Sequence, residues 1–202
     1  MEEHVVTIRT ATEADAGALL DIYRPYVTDT AVSFAYTVPA QEAFAGRLRQ
    51  TLAQYPYLLA ETDGQALGYT YASSLHARPA YQWSAETTIY LRQDARGRGL
   101  GRALYRALED LLRAQHVRNL YACVAYAPQE DARLSNASAW FHERMGYRPV
   151  GRFTGCGYKF DRWYDILWLE KPLGGHGSPP QPVIPFPLLC GGQGDVKRIT
   201  LE

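Results

Sequence analysis

The stretch that decides the fold runs over residues 89–112 and reads IYLRQDARGRGLGRALYRALEDLL. It begins with a β-like apolar run, passes through three glycines interleaved with arginines, and ends in a helical pattern. The apolar stripe of that helix consists of Ala103, Leu104, Ala107, Leu108, Leu111 and Leu112. A stripe of this kind packs against a sheet, so the stretch predicts a strand, a glycine turn and a core-facing helix.

The glycine turn has the chemistry of an anion site. A helix N-terminus leaves backbone N–H groups without partners and carries a partial positive charge. Glycines let an oxygen-rich ligand approach the backbone closely, and arginines add donors. The residues concerned are Gly97, Gly99, Gly101, Arg96, Arg98 and Arg102. Together they favour a pyrophosphate.

Other interpretations of the turn were weighed. The glycines are spaced GxGxG, whereas a dinucleotide-binding turn needs GxGxxG, and a P-loop needs a GK[ST] sequence that this turn lacks. Arginine–glycine segments that bind nucleic acid occur in low-complexity repeats, and this is a single turn. A plain strand-to-helix connection with solvent-facing arginines stays open from the turn alone.

Bulk composition sets outer limits on function. The 202 residues fit one domain, and the 21 basic and 21 acidic residues balance, so bulk charge does not favour nucleic acid or an anionic membrane as partner. No apolar run approaches the roughly 20 residues of a membrane span, and the first residues lack the pattern of a signal peptide. A cytoplasmic location is expected.

Cysteine and histidine usage gives no support for a disulfide framework or a metal site. The odd number of cysteines, Cys123, Cys156 and Cys190, fits reduced thiols with structural roles. The histidines make no HxxxH or CxxC-type pairing. They are His4, His76, His116, His142 and His176. No metal is expected.

The remaining sequence predicts the element order βααβββαβαββ. Asp63-Gly64 between two β-rich runs indicates a hairpin, Gly146 indicates a helix stop, and residues 31–39 (AVSFAYTVP) indicate a loop. After Pro172 the composition becomes rich in glycine and proline, which argues against regular structure. We therefore expect a domain over residues 1–173 and a flexible extension over 174–202. Docking of the apolar residues of that extension is the alternative.

Three motifs in order carry a family resemblance. The segments ETTIYLRQDARGRGLG, FHERMGY and GYKFDRWYD resemble the GCN5-related N-acetyltransferase (GNAT) superfamily, and within it the phosphinothricin acetyltransferase group, over about residues 5–171. The resemblance implies an α+β fold with a mixed, mostly antiparallel central sheet flanked by helices. It also implies acetyl-CoA as co-substrate, no metal, and a homodimer.

The resemblance implies a coenzyme site on the glycine turn and the strand before it. The backbone of that strand would pair with the pantetheine and polarise the thioester carbonyl. Asn136, at a helix start, would cap the helix or contact the coenzyme, with Ser138 as a weaker companion. The implied coenzyme contacts are Ile89, Tyr90, Leu91, Gly97, Arg98, Gly99, Leu100, Gly101, Arg102 and Asn136.

Two residues are implied for proton transfer. Glu86 opens the strand that carries the thioester and shares a face with Thr88 and Tyr90, so it is the predicted general base; an exposed strand-end acid is the alternative. His142 lies where many members have a tyrosine that protonates the departing thiolate. A packed helix histidine is the alternative for His142.

The predicted function is acetyl transfer to the amino group of a small amine, an amino acid or an analogue such as phosphinothricin or methionine sulfoximine. Predicted acceptor contacts are Phe34, Tyr36, Arg78 and Tyr81, with Arg78 pairing with a carboxylate; a solvated loop arginine is the alternative for Arg78. Phe160 and Tyr164 replace histidines typical of phosphinothricin-specific enzymes, which argues against phosphinothricin itself. Alternatives are a protein N-terminus or lysine as acceptor, or a non-catalytic acyl-CoA sensor.

Overall fold

The computed structural model describes residues 5–189 and, as backbone, residues 197–200. The expectations for His4 and Cys190 concern positions outside these ranges. In chain order the elements are β1 (Val5–Thr10), α1 (Ala16–Thr28), α2 (Gln41–Leu52), β2 (Tyr57–Thr62), β3 (Gln65–Ser74), β4 (Ser84–Leu91), α3 (Leu100–Ala114), β5 (Asn119–Tyr126), α4 (Ala137–Arg144), β6 (Arg148–Lys159), β7 (Arg162–Pro172) and β8 (Lys197–Thr200). Through β7 this is the predicted order.

One sheet runs through the molecule in the order β6-β7-β5-β4-β3-β2-β1-β8. Every neighbouring pair is antiparallel except β4 and β5, which are parallel. A parallel pair needs a crossover connection, and α3 supplies it. The predicted α+β architecture with a mixed, mostly antiparallel sheet is confirmed.

Helices cover both faces of the sheet. The α3 stripe buries Leu104, Leu108 and Leu112 against one face, which α4 also covers through Ala139. Each such leucine contributes about 1.5–3 kcal/mol by leaving water. On the other face α1 and α2 pack on tyrosine-rich strands β2 and β3. The apolar period predicted for α3 therefore faces the core.

Two predicted turns have the expected backbone. Asp63 and Gly64 both have positive φ, 49° and 75°, as a tight two-residue hairpin requires. Gly146 has φ of 89° and follows the last turn of α4, where Tyr147 N donates to His142 O at 3.0 Å. The left-handed conformation at Gly146 ends the helix as predicted.

The described part of the extension lies against the domain instead of standing free. Ile184 N donates to Gln115 O at 3.0 Å, Gln115 Nε2 donates to Ile184 O at 2.7 Å, and Phe186 N donates to Gln54 O at 3.1 Å. Phe186 is only 4% exposed. Gln54 and Gln115 follow α2 and α3, and they provide the partners that a proline-rich segment lacks within itself. These contacts are those of the docked alternative; the flexibility of the extension and the boundary after Leu173 stay predictions.

Candidate active site

The glycine turn joins β4 to α3 with two residues in left-handed backbone. Gly97 and Gly99 have φ of 80° and 79°, a conformation that costs an L-residue about 1–2 kcal/mol. Gly99 caps α3, so the N–H groups of Leu100, Gly101 and Arg102 have no partner within the helix. The side chains of Arg98 and Arg102 are exposed beside them. The turn thus combines unpaired helix amides with exposed arginines near them in sequence, the groups that an anion site uses.

Gly101 has a packing role as well. A Cβ atom there would lie 3.1 Å from Cε2 of Phe141, tighter than ordinary contact. Because the glycine has no Cβ, α3 can approach α4 closely at its first turn. The third glycine of the motif is therefore needed for helix packing, whatever it contacts in a ligand.

A cleft opens between β4 and β5. The strands have eight residues each but pair over three, Ser84 with Asn119, Ala85 with Leu120 and Glu86 with Tyr121. Thr87 Oγ1 donates to Tyr121 O at 3.2 Å where the pairing ends. Beyond this point the strands diverge, and we call the space between their C-terminal halves the β4–β5 cleft. The glycine turn follows directly at its open end.

Backbone directions along β4 decide which residues face this cleft. Arg92 N donates to Leu67 O on the β3 side at 2.8 Å, and pairing directions alternate along a strand. Tyr90 therefore turns its backbone groups toward Tyr69 of β3, and Ile89 and Leu91 turn theirs toward the cleft. Of the three predicted backbone contacts, Ile89 and Leu91 suit a ligand in the cleft and Tyr90 does not.

Both backbone polar groups of Leu91 are hydrogen-bonded to the side chain of Tyr26 in α1. Its hydroxyl donates to Leu91 O at 2.6 Å and accepts from Leu91 N at 3.1 Å. Arg96 Nη2 also donates to this hydroxyl at 2.7 Å, and its guanidinium carbon lies 5.2 Å from the Tyr26 ring centroid. Sequence reasoning missed Tyr26, since a tyrosine on the apolar face of a helix gives no signal of such a contact. Arg96 is held here, which fits its exclusion from the predicted coenzyme contacts.

Glu86 is the last paired residue of β4 before the cleft. Burial raises the pKa of its carboxyl above the ordinary value. Its cross-strand neighbour is Ser73 in β3. The Cβ atoms of directly opposed residues in antiparallel strands lie about 4.5–5.5 Å apart. A carboxylate with a raised pKa is a stronger base, so Glu86 combines position with basicity.

His142 lies in the core on the other face of the sheet. It is 3% exposed, its Nδ1 lies 2.7 Å from Ser138 O, and its Nε2 lies 2.7 Å from the Tyr105 hydroxyl. Because burial lowers its pKa to about 4, the ring is neutral, with Nδ1–H donating and Nε2 accepting. Thr87 joins this network, because its Oγ1 accepts a hydrogen bond from the Tyr105 hydroxyl. The side chain of the adjacent Glu86 points to the opposite face of the sheet. The geometry is that of the packed histidine, and its acid role stays a prediction.

Asn136 precedes α4 without capping it. Its Oδ1 accepts from Ala127 N at 3.0 Å and its Nδ2 donates to Ala127 O at 2.8 Å. The helix start shows no side-chain cap, so the capping prediction is wrong. The reason is that Ala127, the residue after β5, offers both a donor and an acceptor to the side-chain amide of Asn136. Ser138 serves His142 through its carbonyl. Coenzyme contact by Asn136 stays a prediction.

A cavity of about 520 Å³ lies between α2 and the face of β2 and β3. Its lining includes Phe44, Leu48, Arg47 of α2, and Ser73, the neighbour of Glu86. Most of the rest is aromatic: Tyr23, Tyr55, Tyr57, Tyr69, Tyr71 and Tyr90. We call it the tyrosine cavity. Sequence reasoning missed it, because Arg47 has the pattern of a surface arginine and the tyrosines that of strand packing.

The four predicted acceptor contacts do not line this cavity. The ring of Phe34 lies over Gly157, where a Cβ would overlap it, and the hydroxyl of Tyr36 donates to Tyr158 O at 2.5 Å. Arg78 is exposed just before a short 3-10 turn. Tyr81 ends that turn, with its ring stacked on His76 at 5.2 Å between centroids. Phe34 and Tyr36 are thus held by β6, and Arg78 and Tyr81 lie in the β3–β4 connection.

The two departures from the phosphinothricin-specific pattern lie at the β6–β7 hairpin. Phe160 has φ of 51° in the turn, with the Arg133 guanidinium carbon 4.5 Å from its ring centroid. Tyr164 is 1% exposed and its hydroxyl donates to Asp131 Oδ2 at 3.0 Å. Both side chains are engaged within the fold.

Within residues 5–189, no group of three or more histidine, cysteine, aspartate or glutamate side chains is arranged to hold a metal ion. Among the described helices none is long and apolar enough to cross a membrane. Cys123 and Cys156 are free thiols in this part of the chain.

Comparisons with known proteins agree with this geometry. Residues 8–168 match the family model described as an acetyltransferase (GNAT) domain. The chain is 37% identical over 172 residues to phosphinothricin N-acetyltransferase of Streptomyces coelicolor, covering 83% of this chain and 96% of that protein. It is 33% identical to an L-methionine sulfoximine/L-methionine sulfone acetyltransferase of Pseudomonas aeruginosa, covering 83% and 94%.

A solved structure is similar over most of both chains. It is a GNAT superfamily phosphinothricin acetyltransferase from Sinorhizobium meliloti in complex with AcCoA. The TM-score is 0.78 at 31% identity, and the alignment covers 88% of this chain and 93% of that one. Fold and sequence therefore point to the same group of proteins.

Proposed function

Because the chain belongs to the GNAT acetyltransferase family and is an acetyl-CoA-dependent N-acetyltransferase, we propose that its acceptor is the α-amino group of an amino acid or amino-acid analogue. Relatives named for phosphinothricin and for methionine sulfoximine, both amino-acid analogues, support this class. The observation that carries the proposal is the position of Glu86, between the β4–β5 cleft and the tyrosine cavity.

Acetyl-CoA fits the cleft and the glycine turn in this proposal. The pyrophosphate lies at the N–H groups of Leu100, Gly101 and Arg102, where the helix dipole and the arginines stabilise negative charge. The pantetheine continues along the free edge of β4. The N–H of Ile89 or of Leu91 then donates to the thioester oxygen, and use of Leu91 requires its hydrogen bond with Tyr26 to open.

Transfer is direct. Glu86 accepts a proton from the acceptor ammonium, and the freed nitrogen lone pair attacks the thioester carbonyl carbon. The tetrahedral intermediate collapses as the carbon–sulfur bond breaks, the coenzyme leaves as a thiolate, and the second proton lost by the acceptor nitrogen protonates that thiolate, so the products are the amide and the free thiol. Burial favours the protonated carboxyl, so the limb of activity controlled by Glu86 lies at higher pH than for an exposed glutamate. Activity is lost as pH falls through that raised pKa.

The test compares Glu86→Gln with wild type. General-base catalysis contributes about 10²–10⁴ in rate, so kcat should fall by at least about 100-fold, and the Kd of acetyl-CoA should stay unchanged. Glu143→Gln, an exposed carboxylate on α4, is the matched control and should keep wild-type kcat. A kcat of Glu86→Gln near wild type would remove Glu86 as the base.

Acetyl-CoA binding is tested separately by thermal unfolding. A ligand present at 100 times its Kd stabilises the native state by about 2.7 kcal/mol, so the melting temperature should rise. If the protein binds acetyl-CoA but does not consume it, whichever amino acid, analogue or peptide is added, it is the non-catalytic sensor. Turnover of peptides alone would favour the protein-acceptor alternative.

A further inference from the structure

The tyrosine cavity has a definite shape and charge, and we infer that it binds the acceptor as an α-amino acid with an aromatic side chain. This inference rests on the proposed function, because it places the acceptor of that reaction. It assigns the carboxylate to Arg47 and the side chain to the tyrosine rings. A cavity of about 520 Å³ lies within the range of about 300–1,000 Å³ typical of small-molecule sites.

The charge of the cavity selects an anionic group. Of the fourteen described residues that line it, Arg47 is the one with an ionised side chain at neutral pH, and none is acidic. Burial raises the pKa of Tyr57, Tyr69 and Tyr90 well above the ordinary value, so these hydroxyls stay neutral. Arg47 itself is exposed at the surface of α2, within reach of a carboxylate entering the cavity. A guanidinium group binds a carboxylate through two parallel hydrogen bonds.

The aromatic rings that line the cavity favour a flat side chain. The rings of Tyr57 and Tyr71 are stacked 4.7 Å apart at an interplanar angle of 9°, and Tyr57 and Tyr69 are stacked at 5.6 Å and 21°. Tyr90 and Tyr23 meet edge to face at 5.0 Å and 71°. A planar ring can extend the stack or meet an edge, and such pairs contribute beyond buried area.

The position of the cavity brings the amine to Glu86. Ser73 lines the cavity and is the cross-strand neighbour of Glu86. Tyr71 lines the cavity with Arg47; burial is the main cause of its raised pKa, and the charges of Glu86 and Arg47 act on that pKa with opposite sign. An α-amino acid carries its amine and carboxylate on one carbon. The inference therefore places the carboxylate at Arg47 and the amine toward Glu86.

The same features disfavour an acceptor with an anionic side chain. Such an acceptor would bring two negative groups into a cavity with one arginine, and its side-chain anion would contact neutral tyrosines. A second anion would have no cationic partner among the residues that line the cavity, which disfavours it relative to an apolar ring. Aromatic amino acids bring one anion, paired with Arg47, and an apolar ring.

The first experiment needs no variant. Acetyl-CoA consumption is measured by free thiol release with L-phenylalanine, L-tryptophan, L-phenylalaninamide and phosphinothricin. The two aromatic acids should have higher kcat/KM than phosphinothricin. L-Phenylalanine should exceed its amide by about 10-fold or more, since the amide lacks the group that Arg47 binds. Preference for phosphinothricin, or equal use of acid and amide, would overturn the inference.

The second experiment tests Arg47 directly. Arg47→Met should raise the KM of L-phenylalanine by about 10- to 100-fold and leave the KM of its amide and of acetyl-CoA unchanged. Arg49→Met on the same helix, whose exposed pair with Glu13 is 2.8 Å long, is the control and should keep both values. Arg47→Lys retains charge and should recover part of the loss. Melting temperatures show that the variants are folded.

The outcomes separate this inference from the proposed function. If Arg47→Met leaves the KM of L-phenylalanine unchanged while other amino acids are acetylated, the cavity assignment fails and the proposed function stands. If no amino acid or analogue is acetylated although acetyl-CoA binds, the proposed function fails first. Unchanged kcat in Glu86→Gln would likewise refute the base without bearing on Arg47.

Discussion

Replacing Lys159 by methionine should destabilise the protein strongly. Its ammonium is buried, and Nζ donates to three carbonyl oxygens at the end of α1 and in the loop that follows, Val27 O at 2.7 Å, Thr30 O at 2.9 Å and Ser33 O at 2.7 Å. A hydrogen bond from a charged group contributes about 1.5–3 kcal/mol, and a buried acceptor left without a partner costs about 1–3 kcal/mol. Desolvation of the ammonium, absent in the variant, offsets part of this sum.

The net loss expected for Lys159→Met is about 3 kcal/mol, because the two buried acceptors, Val27 O and Ser33 O, at the middle of that range outweigh the recovered desolvation, and Thr30 O is only partly buried. Urea denaturation measures it: with a slope of about 2 kcal/mol per molar, the midpoint should fall by about 1.5 M. The control is Arg148→Met at the other end of β6, whose ion pair has a 74% exposed arginine and should contribute about 0–1 kcal/mol. Equal midpoints for the two variants would refute the reasoning.

Lys159 also determines how the loop over residues 31–39 is held. The Phe34 ring packs on Gly157, and the Tyr36 hydroxyl donates a hydrogen bond to Tyr158 O. Lys159 Nζ donates to Ser33 O near the start of the loop. Three consecutive residues of β6 thus hold one loop. Amide hydrogen exchange over this loop should accelerate in Lys159→Met and stay unchanged in Arg148→Met.

Three further predictions concern backbone, protonation and the extension. Gly99→Ala should lose about 1–2 kcal/mol of stability and bind acetyl-CoA more weakly by titration calorimetry, because φ is 79° there; Gly46→Ala in α2, where a Cβ meets open space, should gain about 1 kcal/mol. The native pKa of His142, about 4, lies below its unfolded value, so its contribution of up to about 3 kcal/mol is lost as pH falls from about 6.5 toward 4; His142→Gln should flatten that part of the stability profile, and an identical slope would contradict the burial argument. Phe186→Ala should cost about 3–5 kcal/mol in urea denaturation, against less than about 0.5 kcal/mol for Leu188→Ala at a 73% exposed position; equal small effects would show that the docked segment adds no stability.

The element order was predictable because its signals are local. The period of the α3 stripe, the Asp63-Gly64 hairpin and the Gly146 stop are each written in a few adjacent residues, and local backbone preferences decide them. The glycine turn belongs to this class, since two of its glycines adopt the backbone that only glycine adopts readily.

Features made by distant residues were not predictable in the same way. Asn136 has the residue type of a helix cap, but Ala127, nine positions earlier, offers two hydrogen bonds in place of one. The extension docks through hydrogen bonds to Gln54 and Gln115. This contact was not predictable because both glutamines lie far from the extension in sequence. Arg47 has the pattern of a surface residue, and only the packing of α2 over β3 shows that it borders a cavity.

The alternation along β4 also limits how this protein can change. Its side chains point in turn to one face of the sheet, with Glu86, and to the α3 face, with Thr87, and beyond Glu86 its edge toward β5 is unpaired. Inserting or deleting one residue would turn the glutamate into the core and a core residue toward the opposite face. In the proposed mechanism, acceptor preference therefore changes by substitutions in the cavity lining, which α1, α2, β2, β3 and β4 supply, while the length of β4 stays fixed.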